Sequence, residues 1–316
     1  MKFLELPIPD RVELGEFILE HFKSKNSPLS KDDINTHVKE HLIYFQNKPV
    51  PFLPFKVFKK GKAQLYLKQT GPMLKKSQIV YEDKWIIIIN KPSGLPSQSS
   101  LKFLQDHAHS MVQCYLREKK FQTSPVLFLM HRLDTDTSGL LLFSKKASAN
   151  KAIQEQFEKR SIKKTYLALS TSLSESEVFN KKTITSYIAK KGDKQHAFKF
   201  ASVSEDTPGA KRAETLVTLL SSNTSKPALN SDKEFRSKKL FSVEPKTGRS
   251  HQIRVHLKDQ GLPIDGDPFY GGEKASHLHL HAWKLSFKLP ISKEPLNLIA
   301  PLPEHLKQSI DKYKLS

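Results

Sequence analysis

Along the 316-residue chain the apolar positions recur at two spacings, and the switches between them mark out the elements. The segment ELGEFILEHF places Leu14, Phe17, Ile18 and Phe22 on one face of a helix. SKDDINTHVKEHL opens with Ser30 as a cap and has acids in its first turn, which predicts a second helix. LIYFQNKPV and AQLYLKQ each read as a short strand. GPMLKKSQ reads as a linker. Two helices followed by strands predict a small α/β module over residues 1–76.

From Ile79 the texture changes, and residues 77–316 read as a second, larger domain. IVYEDKWIIIINKPSGLPSQ is a strand entering a Pro/Gly-rich loop, and its four consecutive isoleucines predict burial on both faces. A helix follows, with Leu101, Leu104, Ala108, Met111, Val112 and Tyr115 on one face. VLFLM is a strand that delivers the polar segment HRLDTDTSGL, and LLLFSKK is the next strand. SANKAIQEQFEKRSIKK reads as a helix that Ser148 can cap, with Ile153 and Phe157 on one face. TYLALS, ETLVTLL, LFSVEP and LHLHAWKLSFKL read as strands. Residues 171–235 are polar with short strands, SSNTSKPALNSDKE and GLPIDGDPFYGG are loops, and PEHLKQSIDKY is a closing helix. Strands and helices alternate irregularly, which predicts an α+β fold with a mixed sheet and flanking helices.

Composition narrows the class. Apolar residues make up 37%, enough for a core and too few for a membrane protein, and the longest apolar runs are strand-length. MKFLELPIPD carries early acids and prolines, so no signal peptide is expected. The single cysteine, Cys114, excludes an intramolecular disulfide and a cysteine metal cluster, and favours a reducing, cytoplasmic setting. Fifty-two Lys+Arg against 32 Asp+Glu leave a net charge of +20. Such a field attracts polyanions through counterion release, so nucleic acid is the expected partner.

Three segments concentrate chemistry. HRLDTDTSGL crowds Arg132, Asp134 and Asp136 between a strand and a Ser-Gly turn. In extended chain these alternate residues share a side, at a place where side chains reach a cleft. The competing reading is a solvated turn in which an aspartate bonds its own backbone. KTGRSHQIRVHL gathers Lys246, Arg249, His251, Arg254 and His256 beside Gly248. Read as a strand, it alternates His251, Ile253 and Val255 with Gln252, Arg254 and His256. Glycine followed by cations suits an anion such as phosphate. An arginine pointing into the sheet must find a carboxylate, because a lone buried charge is prohibitive. Asp134 is an attractive partner, and the pair would hold it ionised; the competing reading is an exposed basic strand. HLHLHAW places His277, His279 and His281 on one strand face, a spacing zinc accepts. No acid or cysteine accompanies them, so an ordinary half-buried strand is expected and no metal. There is no phosphate-cradling glycine loop, dinucleotide fingerprint, HExxH or Gly-x-Ser-x-Gly elbow. Tyr166, after the basic KRSIKK, either stacks on a base or packs in the core.

Five segments, in order, together resemble one family. HRLDTDTSGLLLFSKK closely resembles the signature of RluA-type pseudouridine synthases. VYEDKWIIIINKPSGLPS resembles the family's early strand and loop, and FEKRSIKKTYLAL its second motif. KTGRSHQIRVHLKDQGLPIDGDPFYGG resembles the third motif, and LHLHAWKLSF the late strand. The resemblance runs from Ile79 to the C-terminal helix. It implies that residues 77–316 form the catalytic domain, a mixed, largely antiparallel central sheet with a catalytic cleft. It implies that uridine in RNA is isomerised to pseudouridine, the base being detached, turned and rejoined through carbon.

The resemblance also carries residue roles by position. The family's aspartate falls on Asp134, the nucleophile toward either the uracil ring or the anomeric carbon. The motif tyrosine falls on Tyr166, which would stack on the uracil and handle a proton. The arginine of HQIR falls on Arg254, which would pair with Asp134. Arg132 matches a residue that occupies the space left by the flipped base, and Asp136 becomes a loop residue. Lys246, Arg249 and His251 are expected to bind RNA. The reaction has no redox change, so no cofactor is expected. Ser144 and Ser250 stand where the family has alanine and threonine.

Many relatives carry a small RNA-binding domain ahead of the catalytic one. SKDDINTHVKEHLIYFQNKPV resembles its helix and strand, with its opening reduced to RVEL, so residues 1–76 are expected to be a degenerate form of it. The expectation is a cytoplasmic, monomeric synthase acting on ribosomal RNA or tRNA without an obligate protein partner. Two other classes compete. One is a non-catalytic RNA-binding or ribosome-assembly protein that keeps the fold, against which intact Asp134, Tyr166 and Arg254 argue. The other is a metal-dependent nuclease built on His277, His279 and His281, which chelators would inhibit.

Overall fold

The computed structural model describes residues 3–24, 31–39, 43–46, 48–51, 53–66, 74–98, 106–120, 126–172, 179–191, 199–225 and 236–315. It forms two compact units, Met1–Met73 with Tyr115–Pro125, and Leu74–Cys114 with Val126–Ser316. No described helix is long and apolar enough to cross a membrane.

The first unit contains β1 (Phe3–Ile8), β2 (Val12–Glu13), α1 (Leu14–Lys23), α2 (Lys31–Lys39), β3 (Ile43–Phe45), β4 (Lys48–Pro49), β5 (Lys56–Val57) and β6 (Gly61–Tyr66). An antiparallel sheet runs β1-β6-β3-β4, and β2 pairs with β5. The Glu13 carboxylate caps α1 by accepting from the Gly15 and Glu16 amides at 2.9 and 2.7 Å. The apolar stripe of α1 buries Leu14, Ile18 and Phe22 with Leu6, Ile8, Ile43 and Leu65 of the sheet. LIYFQNKPV is a hairpin rather than one strand, because Gln46 takes a left-handed φ of 49° between β3 and β4. Strand β1 was not expected, since its partner β6 is remote in sequence. The Ser30 cap, like Leu101 and Leu104, lies outside the described residues.

The second unit holds β7 (Ile79–Glu82), β8 (Ile86–Lys91), α3 (Ala108–Lys120, divided between the units), β9 (Phe128–Leu129), β10 (Ser138–Ser144), α4 (Ala147–Glu158) and β11 (Lys163–Ser172). It continues with β12 (Lys181–Lys191), β13 (Lys199–Val203), β14 (Lys211–Ser225), β15 (Arg236–Pro245), α5 (Gln252–Asp259), β16 (Leu280–Lys288), β17 (Pro295–Ile299) and α6 (Glu304–Lys312). Eleven strands form one sheet in the order β13-β12-β14-β15-β11-β16-β10-β8-β7, with β17 on β16 and β9 on β10. Every pair is antiparallel except β10 with β16, so the sheet is mixed and largely antiparallel. Ile86 to Ile89 are all fully buried, as a continuous apolar run requires.

The parallel pair decides how the polar segment enters the sheet. Ser138 and Gly139, expected as a turn, are the first two residues of β10 and lie opposite His281 and Ala282. Ser138 Oγ lies 2.8 Å from His281 Nδ1. Gly139 has φ 113°, and a Cβ there would stand 2.3 Å from the Ala282 carbonyl oxygen, so only glycine permits the approach.

Three other expectations are corrected. KTGRSHQIRVHL does not form a strand; its second half is α5. Residues Gln252 to Leu257 are all buried, so the helix has no solvent face in this stretch and no helical period to read. Ser148 does not cap α4; it lies inside the helix, whose cap position is Lys146. That helix ends at Glu158, Arg160 turns the chain at φ 53°, and Lys163 and Lys164 open β11. The polar stretch 171–235 carries the long strands β12 and β14, and Ser221–Ser225, expected as loop, finish β14.

Candidate active site

The polar segment and the third motif meet at one cleft of about 800 Å³ in the second unit. Arg132, Asp134, Tyr166, Lys246, Arg249, His251 and Arg254 all line it. Their sequence positions span more than a hundred residues, and the sheet brings them together.

Asp134 lies in the loop between β9 and β10, and the NKPSGLPS segment after β8 holds that loop by its backbone. Ser97 Oγ donates to the Leu133 carbonyl at 2.7 Å and accepts from the Leu133 amide at 3.0 Å. Ser93 Oγ donates to the Asp136 carbonyl at 2.6 Å. Lys91 Nζ donates to the Thr135 carbonyl at 2.9 Å, and to those of Pro92 and Leu95 at 2.9 and 2.6 Å. Three acceptors match the three protons of an ammonium. Lys91 is fully buried, and burial pushes its pKa down to about 7 against the pull of Asp136 and Asp134. Sequence reasoning gave these residues no role; the available signal was a lysine closing an otherwise apolar strand.

Arg254 projects from α5 and is 2% exposed. Its Nε and Nη2 donate to the two oxygens of Asp267 at 2.7 and 2.8 Å, and its Nη1 donates to Asp134 Oδ2 at 3.3 Å. Asp267 Oδ1 also accepts from the Phe269 and Tyr270 amides at 2.9 and 3.3 Å. The guanidinium lies over the rings of Phe269 and Tyr270, 5.4 and 5.2 Å from their centroids. Asp134 is therefore Arg254's second partner, and Asp267, which sequence reasoning left inside a loop, is its first. Asp267 is positioned by the preceding residues. Gly266 has φ 75°, and a Cβ there would meet the His277 carbonyl oxygen. Asp265 bonds Lys238 at 2.6 Å and Thr171 at 2.8 Å.

Tyr166 is 7% exposed on β11. The register of β11 against β16 shifts between Thr165 and Tyr166, a bulge that re-aims the side chain at the cleft. Burial, with Asp134 nearby, pushes the phenol above its ordinary range. Arg132 is exposed at the cleft. Lys246 pairs with Glu244 at 2.9 Å, and Arg249 Nε donates to the Arg212 carbonyl at 3.0 Å. Gln252 fixes this basic loop by accepting from Thr247 Oγ1 at 2.7 Å and the Arg249 amide at 3.0 Å. His251 Nε2 stands 3.9 Å from Asp134 Oδ2.

The three histidines of HLHLHAW are elsewhere occupied. His281 contacts Ser138, and His279 lies 3.0 Å from the His277 carbonyl and 2.9 Å from Ser309 Oγ. His277 is exposed, lies outside β16 and stacks on His305. Among the described residues no three His, Cys, Asp or Glu side chains gather as metal ligands do.

The family profile described as RNA pseudouridylate synthase matches residues 85–259. The chain is 32% identical over 247 residues to the ribosomal large subunit pseudouridine synthase C of Vibrio cholerae, covering 75% of this chain and 69% of that one. It is 34% identical over 232 residues to the uncharacterized RNA pseudouridine synthase YhcT of Bacillus subtilis, covering 72% and 70%. Among solved structures, human RNA pseudouridylate synthase domain containing 4 aligns with a TM-score of 0.57 at 25% identity, over 75% of this chain and 93% of that one. The profile, the relatives and the fold agree, and the chain belongs to the RNA pseudouridylate synthase family.

Proposed function

We propose that this isomerase converts uridine to pseudouridine in ribosomal RNA with Asp134 as its nucleophile. One observation carries the assignment: the Asp134 carboxylate lines the cleft and is bonded by an arginine already locked onto Asp267. Ribosomal RNA is favoured over transfer RNA because the ribosomal large subunit is what the named Vibrio relative acts on.

The uracil leaves its stack at a cost of a few kcal/mol. Arg132, exposed at the cleft, fills the space it vacates. Stacking on Tyr166 returns roughly 1–3 kcal/mol. Tyr166 keeps its proton, because burial and Asp134 disfavour the phenolate. Asp134 attacks the nucleotide, on the ring or at the anomeric carbon, and the bond from C1′ to N1 breaks. The ring turns, C1′ bonds to C5, C5 loses its proton and N1 gains one, so the composition is unchanged. Lys246, Arg249 and His251 line the same cleft and bind the RNA around the target. The N-terminal module, residues 1–76, supplies a further RNA contact; its support is that α2 is followed by the β3–β4 hairpin in the order the resemblance implies.

RNA carrying tritium at C5 of uracil tests the reading. Label release by the wild type and none by Asp134→Asn is the expected result. Undiminished release by Asp134→Asn would remove the nucleophile assignment. Mapping pseudouridines in ribosomal and transfer RNA with and without the gene tests the substrate, and a change confined to tRNA would overturn the ribosomal assignment.

A further inference from the structure

His251 stands where the chain turns into α5, at φ 54° and ψ 18°. Its ring packs 5.2 Å from Phe200 and 6.1 Å from Phe269, with Tyr270 edge-on at 5.8 Å between centroids. Its Nδ1 lies 2.9 Å from the Tyr270 hydroxyl. That hydroxyl donates to the Phe200 carbonyl at 3.0 Å and accepts from the Phe200 amide at 3.2 Å. A phenol has one proton and two lone pairs. With the proton spent on Phe200, the contact to His251 forms only if Nδ1 carries the hydrogen. Nε2 then holds a lone pair, and it stands 3.9 Å from Asp134 Oδ2, too far for a bond between them. Two acceptors flank a gap that a proton-bearing substrate atom completes.

We propose that His251 Nε2 is the base that removes the C5 proton once uracil has been rejoined to the sugar through C5. The proposal rests on Asp134 being the nucleophile. The rejoined C5 is bonded to C1′, beside Asp134, and Nε2 borders the same space. The electrons of the C5–H bond restore the C5–C6 double bond, and the proton goes to Nε2 to form an imidazolium. N1, released from the sugar as an anion, takes a proton in its turn, and the imidazolium returns its own to solvent. Tyr166 is the rival base, but its phenol holds its proton. The charged and titratable groups facing His251 are Asp134 and Asp136 from the loop before β10, Arg254 from α5, and Asp267 and Tyr270 from the loop after it. Burial lowers the His251 pKa, Asp134 opposes that and Arg254 reinforces it, so the ring is neutral at pH 7.

His251→Gly tests this, because glycine accepts the left-handed backbone without strain and vacates the ring. Turnover is expected to fall about 10²–10⁴-fold with KM little changed. RNA deuterated at uracil C5 should then show a primary isotope effect larger than the wild type's. Added imidazoles should restore turnover in the order of their pKa. Rescue independent of pKa, or a loss confined to KM, would overturn the proposal. Should His251→Gly not fold, His251→Asn keeps a donor for Tyr270 and should give the same isotope effect; its absence counts equally against the base. Asp134→Asn measured alongside separates the two assignments. Retained turnover there removes the nucleophile, whereas loss there with no isotope effect in the His251 variants removes only the base.

Discussion

Arg254 holds Asp267 more closely than it holds Asp134. Two N–H groups reach Asp267 at 2.7 and 2.8 Å, while one reaches Asp134 at 3.3 Å. The guanidinium is thus oriented before substrate arrives, and its remaining donor is aimed at the cleft. Such a pair is costly to break from the buried side and cheap to break from the exposed side.

Asp267→Asn and Asp134→Asn should therefore separate stability from activity. The first leaves a buried guanidinium without its main counterion, an expected loss of about 3–5 kcal/mol together with turnover. The second unloads a carboxylate that is 29% exposed, so turnover is lost while stability stays close to wild type. Urea denaturation of both variants checks this, and equal stabilities would contradict it.

Lys91→Met removes the donor shared by the Pro92, Leu95 and Thr135 carbonyls. Each carbonyl left without a partner costs about 1–3 kcal/mol. The loop should loosen around Asp134, so the Thr137 amide, which donates to the Asp134 carbonyl at 3.1 Å, should exchange faster in deuterated water. Unchanged exchange at Thr137 would show that the lysine does not hold the loop.

Acid should destabilise the protein well above the ordinary carboxylate range. His256 and His281 are fully buried, and burial lowers each from 6.5 to about 4. Between those values the unfolded chain binds protons that the folded chain refuses. Stability is therefore full above pH 6.5 and falls as pH drops toward 4, by about 1.4 kcal/mol per pH unit for each proton. Denaturation curves from pH 7.5 to 4.5 should show the slope, and His281→Gln should remove one proton's share of it.

Gly139→Ala should break the parallel pair of β10 and β16. The added Cβ would meet the Ala282 carbonyl oxygen at 2.3 Å. The expected loss exceeds about 3 kcal/mol, of which backbone strain at positive φ contributes about 1–3. A melting temperature unchanged from wild type would rule the close approach out.

Much of this was readable beforehand where burial is one-sided. The stripe of α1 and the isoleucine run of β8 appeared where their periods placed them. Reading failed where burial is total or partners are distant. In α5 the buried run Gln252 to Leu257 reads as alternation because Ile253 and Val255 are β-branched, and no polar face marks the helix. Strand β1 is defined by β6, and Asp267 is defined by Arg254; neither signal exists within a short window. The cleft residues were legible through the resemblance of whole motifs, while Lys91, Ser93 and Ser97 act on backbone atoms that no residue pattern displays.

That mode of support has an evolutionary consequence. Lys91, Ser93 and Ser97 grip main-chain atoms at Leu133, Thr135 and Asp136, which every residue type supplies. The neighbours Arg132 and Asp136 are not needed to keep Asp134 in place. Their side chains form an interchangeable reading edge beside a constant reagent. A lineage can retarget such an enzyme to a different uridine by changing that edge, without disturbing the chemistry it delivers.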